Sequence, residues 1–247
     1  MKDRWFVCPR PNPKAELRLF LFPYAGGTPT VFSKWFAEFP DHIETSIVHY
    51  PGRGSRFNES PIKEITALVE EINQAILPIL DKPFIFFGHS FGGILAFELA
   101  HRLNPQPQIL FVSACGAPHI PNPNLPIHSL PDPEFIRSLH NLDGLPAEVV
   151  GNLELMQLLL PILRADFEAF ENYQYTSNEH RLACPIIAFG GSDDSHVDRA
   201  RLDAWAHHTD GNFKTNFFFG DHFFINTARQ SVITSMKAEI NSLHAKE

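Results

Sequence analysis

The sequence has no run of eighteen or so apolar residues, so no transmembrane helix is expected and no membrane partner is implied. It has three cysteines, Cys8, Cys115 and Cys184, with no CxxC pair. That scatter excludes a disulfide framework and a zinc knuckle. An excess of positive charge is missing too. Lys and Arg number 20 against 28 Asp and Glu, a formal charge of −8, which argues against general binding to nucleic acid or anionic lipid. The opening Met1-Lys2-Asp3-Arg4-Trp5 lacks an apolar signal core, so secretion by that route is not expected. No repeat or low-complexity tract is visible. Together these absences lead to a reducing compartment, most simply the cytoplasm. What remains is an ordinary globular composition, 44% hydrophobic and 19% charged over 247 residues. The length suits one domain with a substantial core.

Short apolar runs punctuated by Gly and Pro recur at Leu17 to Phe22, Ile43 to Tyr50, Phe84 to Phe87 and Ile109 to Val112. Such runs fit strands buried on both faces. Between them lie helical patterns. Ile62, Ile65, Leu68, Val69, Ile72, Ile76 and Ile79 share one helix face, and Phe91 to Leu103 follows a strand at once. The alternation predicts an α/β fold with a mainly parallel sheet and right-handed crossovers. It breaks between Pro118 and His180, too long an interval for a simple connection. There a proline-rich stretch leads into Asp132-Pro133-Glu134, read as a capping acid before an N1 proline. Leu153 to Tyr173 is then so apolar that it must bury more than one face. The interval is read as a helical lid insertion, residues 118–180, on a core formed by 1–117 and 181–247. The alternation resumes with a strand at Pro185 to Gly190, a helix at Asp198 to His208, a strand at Phe213 to Phe219 and a helix at Ile225 to His244.

Gly88-His89-Ser90-Phe91-Gly92 matches G-x-S-x-G between a strand and a helix. A serine hydroxyl is a poor nucleophile unless a sharp turn exposes it beside a base. Ser90 is therefore the candidate nucleophile, with a solvated serine in a glycine-rich turn as the bland alternative. The acid is expected next along the chain and the base last. Asp193 and Asp194 end the strand at Pro185 to Gly190. Asp194 is preferred for its spacing with Gly191 and Val197, and Asp193 is the alternative. His222, in Gly220-Asp221-His222-Phe223-Phe224, stands on a loop where a general base is needed. His89 is expected to point away from its neighbour, and His207 and His208 lack further ligands at metal spacing. The N–H groups of Ala25, in Phe22-Pro23-Tyr24-Ala25-Gly26-Gly27, and of Phe91 are candidate oxyanion donors. Arg53 and Arg56, in Pro51-Gly52-Arg53-Gly54-Ser55-Arg56, either touch a phosphate or pair with a local acid.

Phe22 to Gly27, Pro51 to Gly54, Gly88 to Gly93, Leu160-Pro161-Ile162-Leu163-Arg164-Ala165-Asp166-Phe167 and Gly220 to Phe224 together resemble the type II thioesterases of nonribosomal peptide and polyketide synthesis. These are members of the α/β-hydrolase superfamily. The resemblance spans roughly Leu17 to Ile240. It implies a serine thioesterase that clears mis-primed or stalled acyl groups from the phosphopantetheine arm of carrier proteins. It also implies catalytic Ser90, His222 and Asp194, oxyanion donors Ala25 and Phe91, no metal and no dissociable cofactor. A monomer is expected, docking its carrier through apolar lid contacts and a few arginines such as Arg137 or Arg164. Three departures stand out. Phe91 replaces a more usual methionine, Asp143-Gly144-Leu145-Pro146 replaces Gly-Gly-x-Pro, and Asp221 replaces a glycine. The rival readings are a medium-chain thioesterase releasing product, a small-ester carboxylesterase, and a binding module that has lost catalysis.

Overall fold

The structure, a computed structural model, describes residues 4–121, 125–141, 152–176 and 180–244. Within these residues seven strands form one sheet: β1 (Phe6–Val7), β2 (Leu17–Phe22), β3 (Ile43–Val48), β4 (Phe84–His89), β5 (Leu110–Ser113), β6 (Ile186–Gly191) and β7 (Phe213–Phe218). Their order is β1-β3-β2-β4-β5-β6-β7. β1 runs antiparallel to β3, and the other neighbours are parallel. The helices are α1 (Ile65–Ile76), α2 (Phe91–Arg102), α3 (Asp132–Asn141), α4 (Leu153–Glu171), α5 (Arg199–Asp203), α6 (Phe224–Thr227) and α7 (Arg229–His244). This is the mainly parallel α/β sheet that the alternating pattern predicts, in the arrangement that the resemblance to α/β-hydrolases implies.

Successive side chains of a strand point to opposite faces, so each apolar run feeds two cores. Phe20, Phe22, Phe84, Phe86, Leu110, Val112, Ile186 and Ala188 pack with α1 and α2. Their neighbours Leu19, Leu21, Ile85, Phe87, Phe111, Ile187 and Phe189 pack with Phe32, Trp35 and the Val232–Ile240 stripe of α7. Continuous hydrophobicity, with no polar alternation, is the consequence of covering both faces. In register, Gly88 lies between Phe22 and Val112, Ser113 meets Phe189, and Gly191 meets Phe218. The carboxyl ends of β2, β4, β5, β6 and β7 therefore share one edge, where sites form in open α/β sheets.

Some boundaries shift. The run Ile43 to Tyr50 leaves the ladder after Val48, and His49 N–H turns to the Trp5 carbonyl at 2.8 Å. Asp198 caps α5 by accepting from Arg201 N–H, and the helix tightens to a 3₁₀ turn over Ala204–His208. The closing helix divides at Ala228 into α6 and α7. Asp132 is the first residue of α3 itself, and its carboxylate meets Arg164 at 2.6 Å. β1 has only two residues, below the length at which a pattern is legible.

Between β5 and β6 the chain carries α3 and α4. They share a separate apolar cluster of Phe135, Leu139, Met156, Leu160 and Leu163. Further along α4, Ala169 and Phe170 join the main core, while Leu155 and Leu158 stay exposed. The helix thus buries more than one face, as its composition demands. Asp143-Gly144-Leu145-Pro146 lies outside the described residues. Among the described residues no helix is long and apolar enough to cross a membrane.

A histidine cluster sits beside Trp205. His208, buried, meets His119 at 2.7 Å between ring nitrogens. Burial pushes the His208 imidazole down from 6.5 to about 4, with neighbouring His119, His101 and His207 adding to the effect. Burial likewise holds His89 well below its ordinary value. The unfolded chain takes up these protons near pH 6.5, and the folded chain resists them to lower pH. Stability is fully present above about 6.5 and is lost as the pH falls toward 4. Melting temperature is expected to drop across that window, with a shallower slope in His208→Phe. An unchanged slope in that variant would remove His208 from the account.

Candidate active site

Ser90 stands between β4 and α2 with φ 52° and ψ −118°, outside the allowed regions for an ordinary side chain. Two hydrogen bonds hold it there: Ser90 N–H donates to the Ser113 carbonyl at 2.7 Å, and Gly93 N–H to the Ser90 carbonyl at 2.8 Å. The flanking glycines are required by space. A Cβ on Gly88 would lie 2.2 Å from the Gly92 carbonyl oxygen, and one on Gly92 would lie 2.2 Å from that of Phe22. The G-x-S-x-G spacing thus lets the start of α2 press against both β4 and the loop after β2.

His222 reaches Ser90 from the loop after β7. Its Nε2 lies 3.0 Å from Ser90 Oγ, and its Nδ1 lies 2.8 Å from Asp194 Oδ2. The other Asp194 oxygen accepts the N–H groups of His196 at 2.8 Å and Val197 at 3.1 Å. Burial acts to raise the Asp194 carboxyl pKa. The hydrogen bond and charge of His222, with the two amides, outweigh it and hold the carboxyl below its ordinary value. Asp193 is exposed, and its backbone N–H donates to the Gly220 carbonyl. The structure therefore gives the imidazole to Asp194. Asp221 turns its carboxylate onto the Phe223 N–H at 2.7 Å.

Ala25 lies in the turn after β2, where Gly27 N–H donates to the Tyr24 carbonyl at 2.9 Å. Phe91 opens α2, and its ring is buried edge-on to Tyr50. Gly92 brings the α2 N-terminus, with its favourable dipole, against Phe22 and Pro23. The two predicted donors accordingly lie on adjoining backbone segments.

Two residues near the base have no role in the sequence reading: His89 is set aside there as pointing away from Ser90, and His196 is not considered. His89 is buried, its Nδ1 lies 2.9 Å from Ser113 Oγ, and its ring centroid is 5.6 Å from that of His222. The strand period carried the signal. Ile85, Phe87 and His89 share the face that Tyr24 and Phe224 cover. His196 also sets its ring against His222, at 6.1 Å.

Of the two arginines in the loop after β3, one departs from expectation and one meets it. Arg53 forms a bidentate pair with Asp166, 113 residues away on α4, at 2.6 and 2.7 Å. Both side chains are almost fully buried, so Arg53 meets neither a phosphate nor a local acid. Arg56 does find a local acid, Glu59. Arg164 meets Asp132, the His128 carbonyl and the Phe135 ring, and its side chain stays partly exposed. Arg137 is exposed. Among the described residues no group of His, Cys, Asp or Glu could hold a metal ion.

The thioesterase-domain family model matches residues 17–240. The chain belongs to the thioesterase family. It is a thioester hydrolase of α/β-hydrolase fold. Linear gramicidin dehydrogenase LgrE of Brevibacillus parabrevis is 39% identical, over 97% of this chain and 94% of that protein. Gramicidin S biosynthesis protein GrsT of Aneurinibacillus migulanus is 41% identical, over 95% and 93%. Among solved structures, the type II thioesterase BorB from the borrelidin biosynthetic cluster superposes with a TM-score of 0.88. It shares 34% identity over 96% of this chain and 98% of that one.

Proposed function

We propose that this thioesterase is an editing enzyme of nonribosomal peptide or polyketide synthesis. It hydrolyses acyl thioesters from the phosphopantetheine arm of carrier domains, and it works in the cytoplasm as a monomer. The observation that carries the catalytic reading is the unbroken chain from Ser90 Oγ through His222 to Asp194, with links of 3.0 and 2.8 Å, at the carboxyl edge of the sheet. The biosynthetic setting is supported by GrsT and BorB.

In this mechanism His222 Nε2 takes the Ser90 proton as Oγ attacks the thioester carbon. Asp194 fixes the imidazole tautomer and stabilises the imidazolium. The N–H groups of Ala25 and Phe91 receive the developing oxyanion. The imidazolium then returns its proton to the departing phosphopantetheine thiol. Water, deprotonated by the same nitrogen, attacks the acyl-enzyme, and Ser90 leaves with that proton. No step needs a metal or cofactor. Residues 118–180 serve as a lid whose apolar helix lines the acyl channel. Such a wall discriminates by only ~1–3 kcal/mol per methylene, so broad acyl tolerance follows.

The name of LgrE invites a dehydrogenase reading. That chemistry calls for a G-x-G-x-x-G turn after the first parallel strand, and here the turn reads Phe22-Pro23-Tyr24-Ala25-Gly26-Gly27. Mass spectrometry of a panel of acylated carrier domains, with matched acyl-CoA and oxygen esters, tests the proposal. Carrier-bound acyl groups of varied length are expected to be released fastest. Preference for free oxygen esters would favour a carboxylesterase. A single sharp chain-length optimum would favour product release over editing.

A further inference from the structure

The buried Arg53–Asp166 pair joins three segments that the triad does not use. Arg53 lies in the loop after β3 and Asp166 on α4, and the pair is hydrogen-bonded in turn to the loop after β2. Besides both guanidinium nitrogens, Asp166 Oδ2 accepts the Gly26 N–H at 2.6 Å. Asp166 is 0% exposed and Arg53 2%. Arg53 Nε also donates to the Pro51 carbonyl at 3.2 Å, and Tyr50 Oη, beneath the guanidinium, donates to the Pro23 carbonyl at 3.1 Å. A second α4 side chain touches the same glycine. A Cβ on Gly26 would come within 2.5 Å of Leu163 Cδ2. Leu163 and Asp166, three residues apart, therefore lie on one helix face, and both seat on Gly26.

Gly26 is the third residue of the turn Tyr24–Gly27 and has φ +74°, as a type II turn requires. The Tyr24 carbonyl points into that turn, toward Gly27 N–H. Across the planar trans peptide, Ala25 N–H must point the other way. The next peptide, Ala25–Gly26, could rotate between turn types. Asp166 holds it in one orientation by taking its N–H. A buried ion pair is a costly way to secure stability alone, since apolar residues of similar volume often do as well.

We infer that Asp166, with Arg53 as its counter-ion, is a positioning residue for the Ala25 oxyanion donor, so that the hole is complete only while α4 is seated on the Tyr24–Gly27 turn. The inference rests on the serine-thioesterase reading above and adds a link from the lid helix to the chemistry. Loosening the turn costs transition-state stabilisation, and ground-state binding is spared.

The test uses the full chain with two variants, Asp166→Asn and the apolar pair Arg53→Met/Asp166→Leu, the second chosen to fold without buried charge. In both, kcat on an acyl-carrier substrate is expected to fall about 10- to 100-fold with KM within about twofold. The rate of fluorophosphonate labelling at Ser90, which places an oxygen in the hole, should fall in parallel. So should affinity for an acyl trifluoromethyl ketone, while binding of a non-hydrolysable thioether analogue holds. Parental kcat and labelling rate in the folded apolar variant would overturn the inference. Loss of fold in both variants, or activity loss matched by weaker thioether binding, would also overturn it and leave the pair a structural role. A parent that labels but ignores acyl carriers defeats the proposed function, while the labelling rates still decide the role of Asp166.

Discussion

Ser90→Ala is expected to lower thioester turnover by about 10⁶-fold, the scale set by removing a triad nucleophile, while the fold survives. Ser90→Gly is expected to be equally inactive and to melt higher than the parent. Both results come from the same geometry. The hydroxyl lies 3.0 Å from the base, so its loss removes the covalent route. The backbone at φ 52° and ψ −118° costs a non-glycine residue about 1–3 kcal/mol. Glycine relieves that strain, against about 0.4–1 kcal/mol of extra freedom in the unfolded chain. A net gain of about 1 kcal/mol corresponds to a rise of roughly 2–4 °C for a domain of this size. Intact-mass spectrometry after exposure to an acylated carrier, paired with thermal melts, reads both effects. Turnover above trace in Ser90→Ala would end the assignment of the nucleophile. A lower melting temperature in Ser90→Gly would end the strain account.

The sharp turn at Ser90 was legible in advance because its signals are local. A strand, a serine between two small residues and a helix specify a sharp turn, and Gly88 is needed where Gly92 and Gly93 close on it, although Gly92 is needed against Phe22 on a separate strand. The core was legible for a similar reason. Runs such as Phe84 to Phe87 must be covered on both faces, and only a two-sided sheet does that. Asp194 and His222 could be placed by chain order, yet choosing between Asp193 and Asp194 rested on spacing alone. The structure separates them by burying one beneath the imidazole and leaving its neighbour in water. Arg53 marks where local reasoning fails. Its partner lies 113 residues away, and no pattern around either residue points to the other. The same holds for β1, whose pairing with β3 depends on a turn of the chain outside any apolar period. His89 is the intermediate case. The strand period puts its side chain on the face of Ile85 and Phe87, a signal passed over because the position beside the nucleophile suggested an idle neighbour.

Asp194→Asn is expected to lower kcat by about 10⁴-fold, whereas Asp193→Asn should leave it within about threefold. The carboxylate of Asp194 accepts on both oxygens, from His222 on one side and from two backbone N–H groups on the other. An amide cannot accept on both sides. With its oxygen toward the His196 and Val197 amides, its NH₂ faces Nδ1 and selects the tautomer that puts a proton on Nε2, where the base must be empty. The opposite flip preserves the tautomer but sets NH₂ against the two backbone donors, leaving buried groups unsatisfied. Either way the imidazolium loses its buried counter-charge. The sign of the pH dependence follows from the depressed carboxyl pKa. The stabilisation from Asp194 is fully present above the ordinary carboxylate value. It is lost only as the pH falls through the lower folded value. Asp194 therefore stays ionised above its ordinary value, and its own titration does not set the acid limb of kcat/KM in the parent. Steady-state kinetics of the two asparagine variants, followed from pH 5 to 9, separates the roles. A 10⁴-fold loss in Asp193→Asn with Asp194→Asn near parental would reverse the assignment and require the loop after β6 to rearrange before the serine is acylated.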